Sequence, residues 1–255
     1  MLKIDSVNVT IQSVQALRGF SLNVQPGQMV GLVGRNGAGK TTLLRTVMGH
    51  LQPTAGHVEW AGVRLNSQAT HTRAALGIGY MPEDRGLVPE LTVEENILIP
   101  VWVSATLQPK ERLEMVYSVL PELHTMKDRR ALLLSGGQQK LVALARALAV
   151  GTRLLLLDEP FEGVAPALSQ RLSDVIFGLR GKDMTVVIAQ SELNHAASML
   201  DQKVLIERGS NAVAVADCRG RRVRVQIWRN VFCWFCRVME RPSCFRIFRR
   251  QGSLG

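Results

Sequence analysis

The sequence predicts an α/β fold in which helices cover both faces of a mainly parallel sheet. Short, uninterrupted apolar runs, typical of buried parallel strands, alternate with helix-like segments, as at residues 29–33, 154–157 and 185–189. A glycine-rich turn follows the first run, and two acidic residues follow the second. The 255 residues can bury the core of one large domain, or of a domain with a small subdomain.

Most strands are expected in the first third of the chain, and turns with Gly or Pro follow several of them. They lie at residues 2–9, 16–24, 29–33, 57–60 and 78–81. A helix is predicted over residues 42–48, because Leu43, Leu44 and Val47 share one face and Gly49 follows as a stop.

The next part of the chain is helical, from residue 92 to about residue 130. Thr92 and Glu95 have the spacing of a capping box that opens one helix, and residues 110–120 form a second. Breaks are expected at Pro100, Pro109 and Pro121. We interpret residues of about 85–150 as a helical subdomain inserted into the α/β core.

Helices and strands alternate again after this region. A long helix begins near Ser135 and ends at Gly151, with apolar residues on one face at helical spacing. The remaining elements are expected at residues 154–157 (strand), 167–179 (helix), 185–189 (strand), 192–200 (helix) and 203–206 (strand).

The strongest motif is Gly34-Arg35-Asn36-Gly37-Ala38-Gly39-Lys40-Thr41, which matches the phosphate-loop pattern G-x-x-x-x-G-K-[ST]. Its glycines let backbone N–H groups point at a polyphosphate, and the following helix adds partial positive charge at its N-terminus. Lys40 can reach the terminal phosphates, the Thr41 hydroxyl can ligate Mg²⁺, and Thr42 lies in the same turn. A chance match is expected in roughly one chain in a hundred of this length. The sequence therefore predicts binding of a nucleoside triphosphate.

Two further motifs carry chemistry. Asp158 and Glu159 end a buried strand, where Asp158 can hold Mg²⁺ and Glu159 can orient or deprotonate a water molecule. The alternative, two solvated acids, is the weaker interpretation in a chain with a phosphate loop. Leu134-Ser135-Gly136-Gly137-Gln138 opens a helix and can bring the Ser135 hydroxyl and backbone N–H groups to a γ-phosphate.

In this order the motifs resemble those of the ATP-binding cassette (ABC) ATPases, over residues 2–209. The resemblance implies a P-loop NTPase core with a parallel sheet, an N-terminal antiparallel β subdomain and the inserted helical subdomain. It also implies a head-to-tail dimer, in which Ser135, Gly136, Gly137 and Gln138 of one subunit complete the ATP site at Lys40 of the other. Closure of the dimer on ATP and Mg²⁺ would drive transmembrane permease subunits.

Residues 80–86, 89–96 and 159–166 resemble a narrower branch, the ATPases of high-affinity, Liv-type importers of branched-chain amino acids. The ATPases of urea and short-chain amide importers share much of this sequence, so that branch remains an alternative. The resemblance implies a periplasmic solute-binding protein as an indirect partner and a location at the cytoplasmic face of the inner membrane.

The same resemblance assigns further roles. Glu83 stands where most relatives have a glutamine that contacts Mg²⁺ and water, and residues 83–96 would face the permease. Gln190 stands where many relatives have a switch histidine, and it can hydrogen-bond a γ-phosphate; His195 is interpreted as a surface residue. Relatives stack adenine on an aromatic residue near residues 9–13, where this chain has none, so Ile11 would pack against the base.

Charge and cysteine are concentrated in the tail. Residues 210–255 hold ten Arg, no Lys, two acidic residues and all four Cys, and they account for +8 of the net charge of +10. An RNA- or lipid-binding arm, an amphipathic membrane helix and a Cys-x-x-Cys site at Cys233 and Cys236 are alternatives. We favour a shifted reading frame, because Arg, Cys and Trp are abruptly enriched without Lys.

Three functions therefore remain. We favour the Mg²⁺-dependent ATPase of an amino-acid importer; no stretch is long and apolar enough for a membrane span, and no signal peptide is recognisable. The second interpretation, a soluble ABC ATPase that acts on RNA or ribosomes, depends only on the basic tail. Such proteins usually have two cassettes in one chain, so we expect no nucleic-acid partner. The third is a non-catalytic binding module whose tail prevents dimerisation.

Overall fold

The computed structural model describes residues 1–192 and 199–212. Most of the helix predicted at residues 192–200, with His195, lies outside these residues, as do the four cysteines of the tail. The strands are β1 (Leu2–Ile11), β2 (Val14–Val24), β3 (Met29–Val33), β4 (Ala55–Trp60), β5 (Val63–Arg64), β6 (Ile78–Met81), β7 (Leu154–Asp158), β8 (Thr185–Gln190), β9 (Gln202–Glu207) and β10 (Ser210–Ala212). The α-helices are α1 (Lys40–Met48), α2 (Thr72–Ala75), α3 (Val93–Trp102), α4 (Pro109–Val119), α5 (Pro121–His124), α6 (Gly136–Val150) and α7 (Pro166–Phe177), with short 3₁₀ turns at Leu65–Ser67 and Ala131–Leu133.

The strands form two sheets. One has four antiparallel strands in the order β2-β1-β4-β5, which confirms the predicted antiparallel β subdomain. The other has the order β10-β9-β3-β8-β7-β6, and all its neighbours except the antiparallel pair β9–β10 are parallel. The carboxyl ends of β3, β7 and β8 therefore lie side by side, which brings the phosphate loop and Asp158 to one edge.

The parallel sheet is buried on both faces, which explains its uninterrupted apolar strands. Side chains alternate along a strand, so Leu155 and Leu157 pack with α3, α6 and α7, whereas Leu154 and Leu156 pack with α1 and the antiparallel sheet. Helix α6 lies against β6: a Cβ atom on Gly79 would be 2.1 Å from the carbonyl oxygen of Ala147. Helix α6, at the end of the predicted insertion, thus also covers the sheet. The limits of the helical subdomain stay a prediction.

One local prediction is wrong. Pro100 does not break a helix but lies within α3, two residues before its end, where the missing N–H costs at most one hydrogen bond of the last turn. Pro109 and Pro121 do stand at helix starts, where proline is favoured.

The sheet also continues past Gly209, at which the cassette was predicted to end. Ser210–Ala212 form β10, and Asn211 exchanges two hydrogen bonds of 2.8 Å each with the backbone of Ser21 on β2. These contacts join β10 to β2, and the limits of the cassette stay a prediction. No helix in the described part of the chain has the length and apolarity to cross a bilayer.

Candidate active site

The phosphate loop occupies residues 34–39, between the end of β3 and the start of α1. Gly37 and Gly39 have φ angles of 78° and 110°, in the left-handed region that side-chain-bearing residues avoid. A Cβ atom on Gly34 would lie 2.4 Å from the carbonyl oxygen of Ile206, so the loop also needs glycine for close packing. No side chain caps α1, which leaves its first N–H groups available to an anion.

Lys40 is folded back over this loop. Its Nζ donates hydrogen bonds to the carbonyl oxygens of Gly34 (2.6 Å) and Arg35 (3.2 Å), and it lies 3.0 Å from Oε1 of Glu159. The Lys40 and Glu159 side chains are 5% and 3% exposed. Oε1 accepts no hydrogen bond from any described residue, so the contact with Lys40 is an ion pair without hydrogen-bond geometry.

Thr41 and Asp158 meet at the site predicted to hold Mg²⁺. The Thr41 hydroxyl donates to Oδ1 of Asp158 (3.2 Å), and the Tyr80 hydroxyl donates to Oδ2 (3.4 Å). Burial raises the pKa of Asp158 to about 6; the two hydrogen bonds oppose this shift, and the charges of Glu83 and Glu159 add to it. Burial and the Asp158 charge in turn raise the pKa of Tyr80, which therefore stays a hydrogen-bond donor. The site predictions did not include Tyr80.

The hydroxyl and carboxylate fit Mg²⁺, which takes few protein ligands and keeps waters and substrate phosphates. Among the described residues, no three His, Cys, Asp or Glu side chains converge as a complete metal cage. Thr41 and Asp158 are therefore the residues that would hold the ion, with Glu83 close enough to line the same cavity.

Glu159 adopts a φ angle of 46°, which is unusual for a residue with a side chain. Its N–H donates to the carbonyl oxygen of Ala189 on β8 (2.9 Å). Its Oε2 accepts from the N–H of Ser191 (3.2 Å), and the Ser191 hydroxyl lies 3.5 Å away. The carboxylate is thus held between Lys40 on one oxygen and Ser191 on the other.

A cavity of about 250 Å³ lies at this edge of the sheet. It is lined by Asn36, Gly37, Gly39, Lys40, Thr41, Thr42, Glu83 and Glu159. The structure therefore brings together the phosphate loop, Glu83 and Glu159, which are far apart in the sequence.

Gln190 is not among these lining residues. It is the last residue of β8, it is buried, and its Oε1 has no hydrogen-bond partner among the described residues. The strand was predicted to end at residue 189, which would make Gln190 the first residue after it. The strand is one residue longer, and Ser191 is the residue that contacts Glu159. The role of Gln190 as a phosphate sensor stays a prediction.

Ser135 to Gln138 lie at the start of α6, away from the cavity lining. Ser135 and Gln138 form a reciprocal capping box, and Ser135 and Gly136 are exposed. A Cβ atom on Gly137 would lie 2.6 Å from Cδ2 of Leu168, the end of a flexible side chain that can move aside. An exposed, capped helix start with two glycines is available to a second subunit.

Fold and site define a phosphate-loop protein of the α/β class that binds nucleoside triphosphates. The family model described as "ABC transporter" matches residues 17–162. The chain is 34% identical over 209 residues to the high-affinity branched-chain amino acid transport ATP-binding protein BraG of Pseudomonas aeruginosa, covering 82% of this chain and 90% of BraG. It belongs to the ABC transporter family and is an ATP-hydrolysing transporter subunit.

Other relatives differ in what they transport. The probable branched-chain amino acid transport protein LivF of Archaeoglobus fulgidus is 30% identical, with 82% of this chain and 89% of LivF covered. The lipopolysaccharide export protein LptB of Acidithiobacillus ferridurans is 33% identical, with 76% and 80% covered. Identity alone therefore does not select the transported solute.

Solved structures support the fold and the nucleotide site. The dimeric structure of the bacterial ABC transporter cassette MJ0796 has a TM-score of 0.74 at 26% identity, covering 83% of this chain and 96% of MJ0796. The ADP conformation of the cassette MJ1267 has a TM-score of 0.72 at 26% identity, covering 85% and 91%. MJ1267 thus binds ADP, and MJ0796 occurs as a dimer.

Proposed function

We propose that this chain hydrolyses ATP with Mg²⁺ to energise a branched-chain amino acid importer. The observation that carries the proposal is the cavity that unites Lys40, Thr41, Glu83 and Glu159 beside Asp158. The names of BraG and LivF, and the resemblance of residues 80–86, 89–96 and 159–166 to Liv-type ATPases, support the importer. Urea or short-chain amide import is the alternative within this branch.

Each residue has a physical task in this proposal. The phosphate-loop N–H groups and Lys40 bind the terminal phosphates by charge-assisted hydrogen bonds. Thr41 and Asp158 would hold Mg²⁺, which would neutralise charge that develops on the phosphates. Phosphate that binds Lys40 competes with Glu159 for the ammonium group, and the released carboxylate can orient and deprotonate water. The Ser191 N–H keeps the carboxylate near the phosphate loop during this exchange.

The proposal also includes the partners. Ser135 to Gln138 of a second ATPase subunit complete the ATP site. Residues 83–96 contact a permease, to which a periplasmic solute-binding protein delivers the solute. Exposed apolar side chains support a protein-facing surface on the helical part of the chain; they are Val88, Trp102, Val103, Leu132 and Leu133. A hydrogen bond from Leu132 N–H to the Pro89 carbonyl joins two of its segments. We place the chain at the cytoplasmic face of the inner membrane.

Complementation separates import from export. This chain, expressed in bacteria that lack their branched-chain importer ATPases, is expected to restore leucine uptake. The Glu159→Gln variant is the matched control and is expected to restore none. Rescue of an LptB-depleted strain instead would assign the chain to lipopolysaccharide export and overturn the importer proposal.

A further inference from the structure

Lys140 is a buried lysine to which the proposed ATPase mechanism assigns no role. It lies in α6, its residue exposure is 3%, and no carboxylate lies within ion-pair distance of it in the described part of the chain. Its Nζ donates instead to two backbone carbonyls, those of Glu159 (2.9 Å) and Glu162. The lysine thus joins α6 to the segment that directly follows β7.

These two carbonyls mark the ends of one tight turn. Glu162 N–H donates to the Glu159 carbonyl at 3.2 Å, which closes the turn Glu159-Pro160-Phe161-Glu162 with proline in its favoured second position. The ammonium group of Lys140 bridges the first and last carbonyls of this turn. Its contact therefore fixes the orientation of the peptide group that follows Glu159.

The backbone of Glu159 needs such support. A side-chain-bearing residue with a φ angle of 46° is strained, and such residues persist where their surroundings determine them fully. The Ala189 carbonyl binds the N–H of Glu159, and Lys140 binds its carbonyl. These bonds hold both peptide groups of the residue whose carboxylate enters the cavity.

Packing alone does not account for a lysine at this position. Removing an ammonium group from water is costly, whereas a methionine of similar shape would fill the space without that cost. Burial, and then the charge of Arg85, lower the pKa of Lys140, while the charges of Glu162, Glu159 and Glu83 oppose this. The charged donor is retained at a site where an apolar residue would be cheaper to bury.

We propose that Lys140 is a positioning residue that fixes the backbone of Glu159 and thereby aims its carboxylate at the attacking water. This inference rests on the proposed ATPase chemistry of Glu159. Because α6 begins with Ser135 to Gln138, the same bond links the placement of Glu159 to the helix that faces the second subunit.

The test compares Lys140→Met with Lys140→Arg and with Lys110→Met, which removes an exposed lysine from α4. In the purified full chain, Lys140→Met is expected to lower kcat about 10–100-fold, as misplacement of a reacting group does, with KM for ATP nearly unchanged. Lys140→Arg, which keeps charged donors, is expected to recover part of the loss. A kcat like that of Lys110→Met, or a proportional rise in KM, would overturn the proposal.

A double variant tests whether Lys140 acts through Glu159. In the Glu159→Gln background, Lys140→Met is expected to cause no further loss, because the group that it positions is already gone. A full additional loss would show that Lys140 acts elsewhere and would overturn the proposal. Wild-type activity in Glu159→Gln would instead refute the proposed function.

A measurement without turnover completes the test. Hydrogen exchange at the Glu162 amide is expected to accelerate in Lys140→Met and not in Lys110→Met, because the turn loses its bridge. This readout applies even to a chain without ATPase activity. Unchanged exchange at residues 159–162 would overturn the positioning role.

Discussion

Lys40 Nζ and Glu159 Oε1 lie 3.0 Å apart, and both side chains are buried. The proposed phosphate-binding cation and the proposed base thus form an ion pair with each other. Removing one partner of a buried ion pair is costly, because it leaves the other charge buried and unpaired. In the proposed mechanism, phosphate that binds Lys40 would release the Glu159 carboxylate, so the two events would be one exchange of partners at Lys40.

The first prediction concerns Glu159→Gln. We expect ATP hydrolysis to fall about 10²–10⁴-fold, the range for loss of a general base. ATP binding is expected to tighten, because Lys40 loses a competing anion and a negative charge leaves the phosphate site. Steady-state hydrolysis and binding of a fluorescent ATP analogue measure the two effects. Weaker binding in this variant would contradict the competition between Glu159 and phosphate.

The second prediction follows from the pKa of Asp158, which burial raises from 3.8 to about 6. An acid with a raised folded-state pKa favours folding below its unfolded pKa and loses that contribution as pH rises through the folded pKa. Its share of the free energy of unfolding is therefore expected to decline by about 2 kcal/mol between pH 4 and pH 6. The difference between wild type and Asp158→Asn in urea unfolding across this range isolates the group.

Activity should change with pH in the opposite direction. Mg²⁺ binds the ionised carboxylate, so the Mg²⁺ concentration for half-maximal ATPase activity is expected to rise as pH falls below about 6. Raising Mg²⁺ should restore the rate, since metal and proton compete. A rate loss at low pH that excess Mg²⁺ does not relieve would assign the titration to another group.

Local sequence signals predicted most of the elements that position the site. The apolar runs fixed β3, β6 and β7 to within one residue, and the Thr92 capping box is present with both of its hydrogen bonds. The turn between β1 and β2 was missed, because Gln12 and Ser13 both have positive φ without the Gly or Asn that usually indicates such turns. Its two-residue length follows from the pairing of Ile11 with Val14.

Thr41 and Asp158 were predicted to serve one site, but other contacts between distant segments could not be predicted from the sequence. Nothing local indicates that Lys140 binds the carbonyls of residues 159 and 162, or that Tyr80 binds Asp158. Ser191 was missed because nothing local in the sequence indicates that the N–H just after β8 binds the Glu159 carboxylate. Such contacts depend on how neighbouring strands are aligned. Apolar strands of similar composition do not specify this alignment.

The third prediction concerns Asn96, which is fully buried in α3. Its Oδ1 accepts from Val88 N–H (2.8 Å), and its Nδ2 donates to the carbonyls of Val88, Leu91 and Thr92. Asn96→Leu removes the acceptor of the Val88 N–H, whereas the three carbonyls keep backbone donors, so the free energy of unfolding is expected to fall by about 1–3 kcal/mol in urea titrations. The exposed Asn23→Leu is the control, and an equal loss there would refute the role of Asn96 in holding residues 88–92.

The fourth prediction concerns Ile11, which is 38% exposed at the end of β1. By the resemblance to ABC ATPases, the adenine base would pack near this residue, against an aliphatic side chain in place of an aromatic ring. Ile11→Tyr would supply a stacking surface worth about 1–3 kcal/mol, so Kd for ATP is expected to fall about 5–150-fold. Titration calorimetry with Mg²⁺-ATP measures the change, and Mg²⁺-triphosphate without a base should show none.

The neighbouring Thr10 provides the matched control. It is exposed, and alternation along the strand directs its side chain to the opposite face from Ile11, so Thr10→Tyr is expected to leave Kd for ATP within about twofold of wild type. Tightening in Ile11→Tyr alone would place the base beside the β1–β2 turn. Equal effects in both variants, or tightening of base-free triphosphate, would instead mean that the tyrosine acts through charge or stability and that the base binds elsewhere.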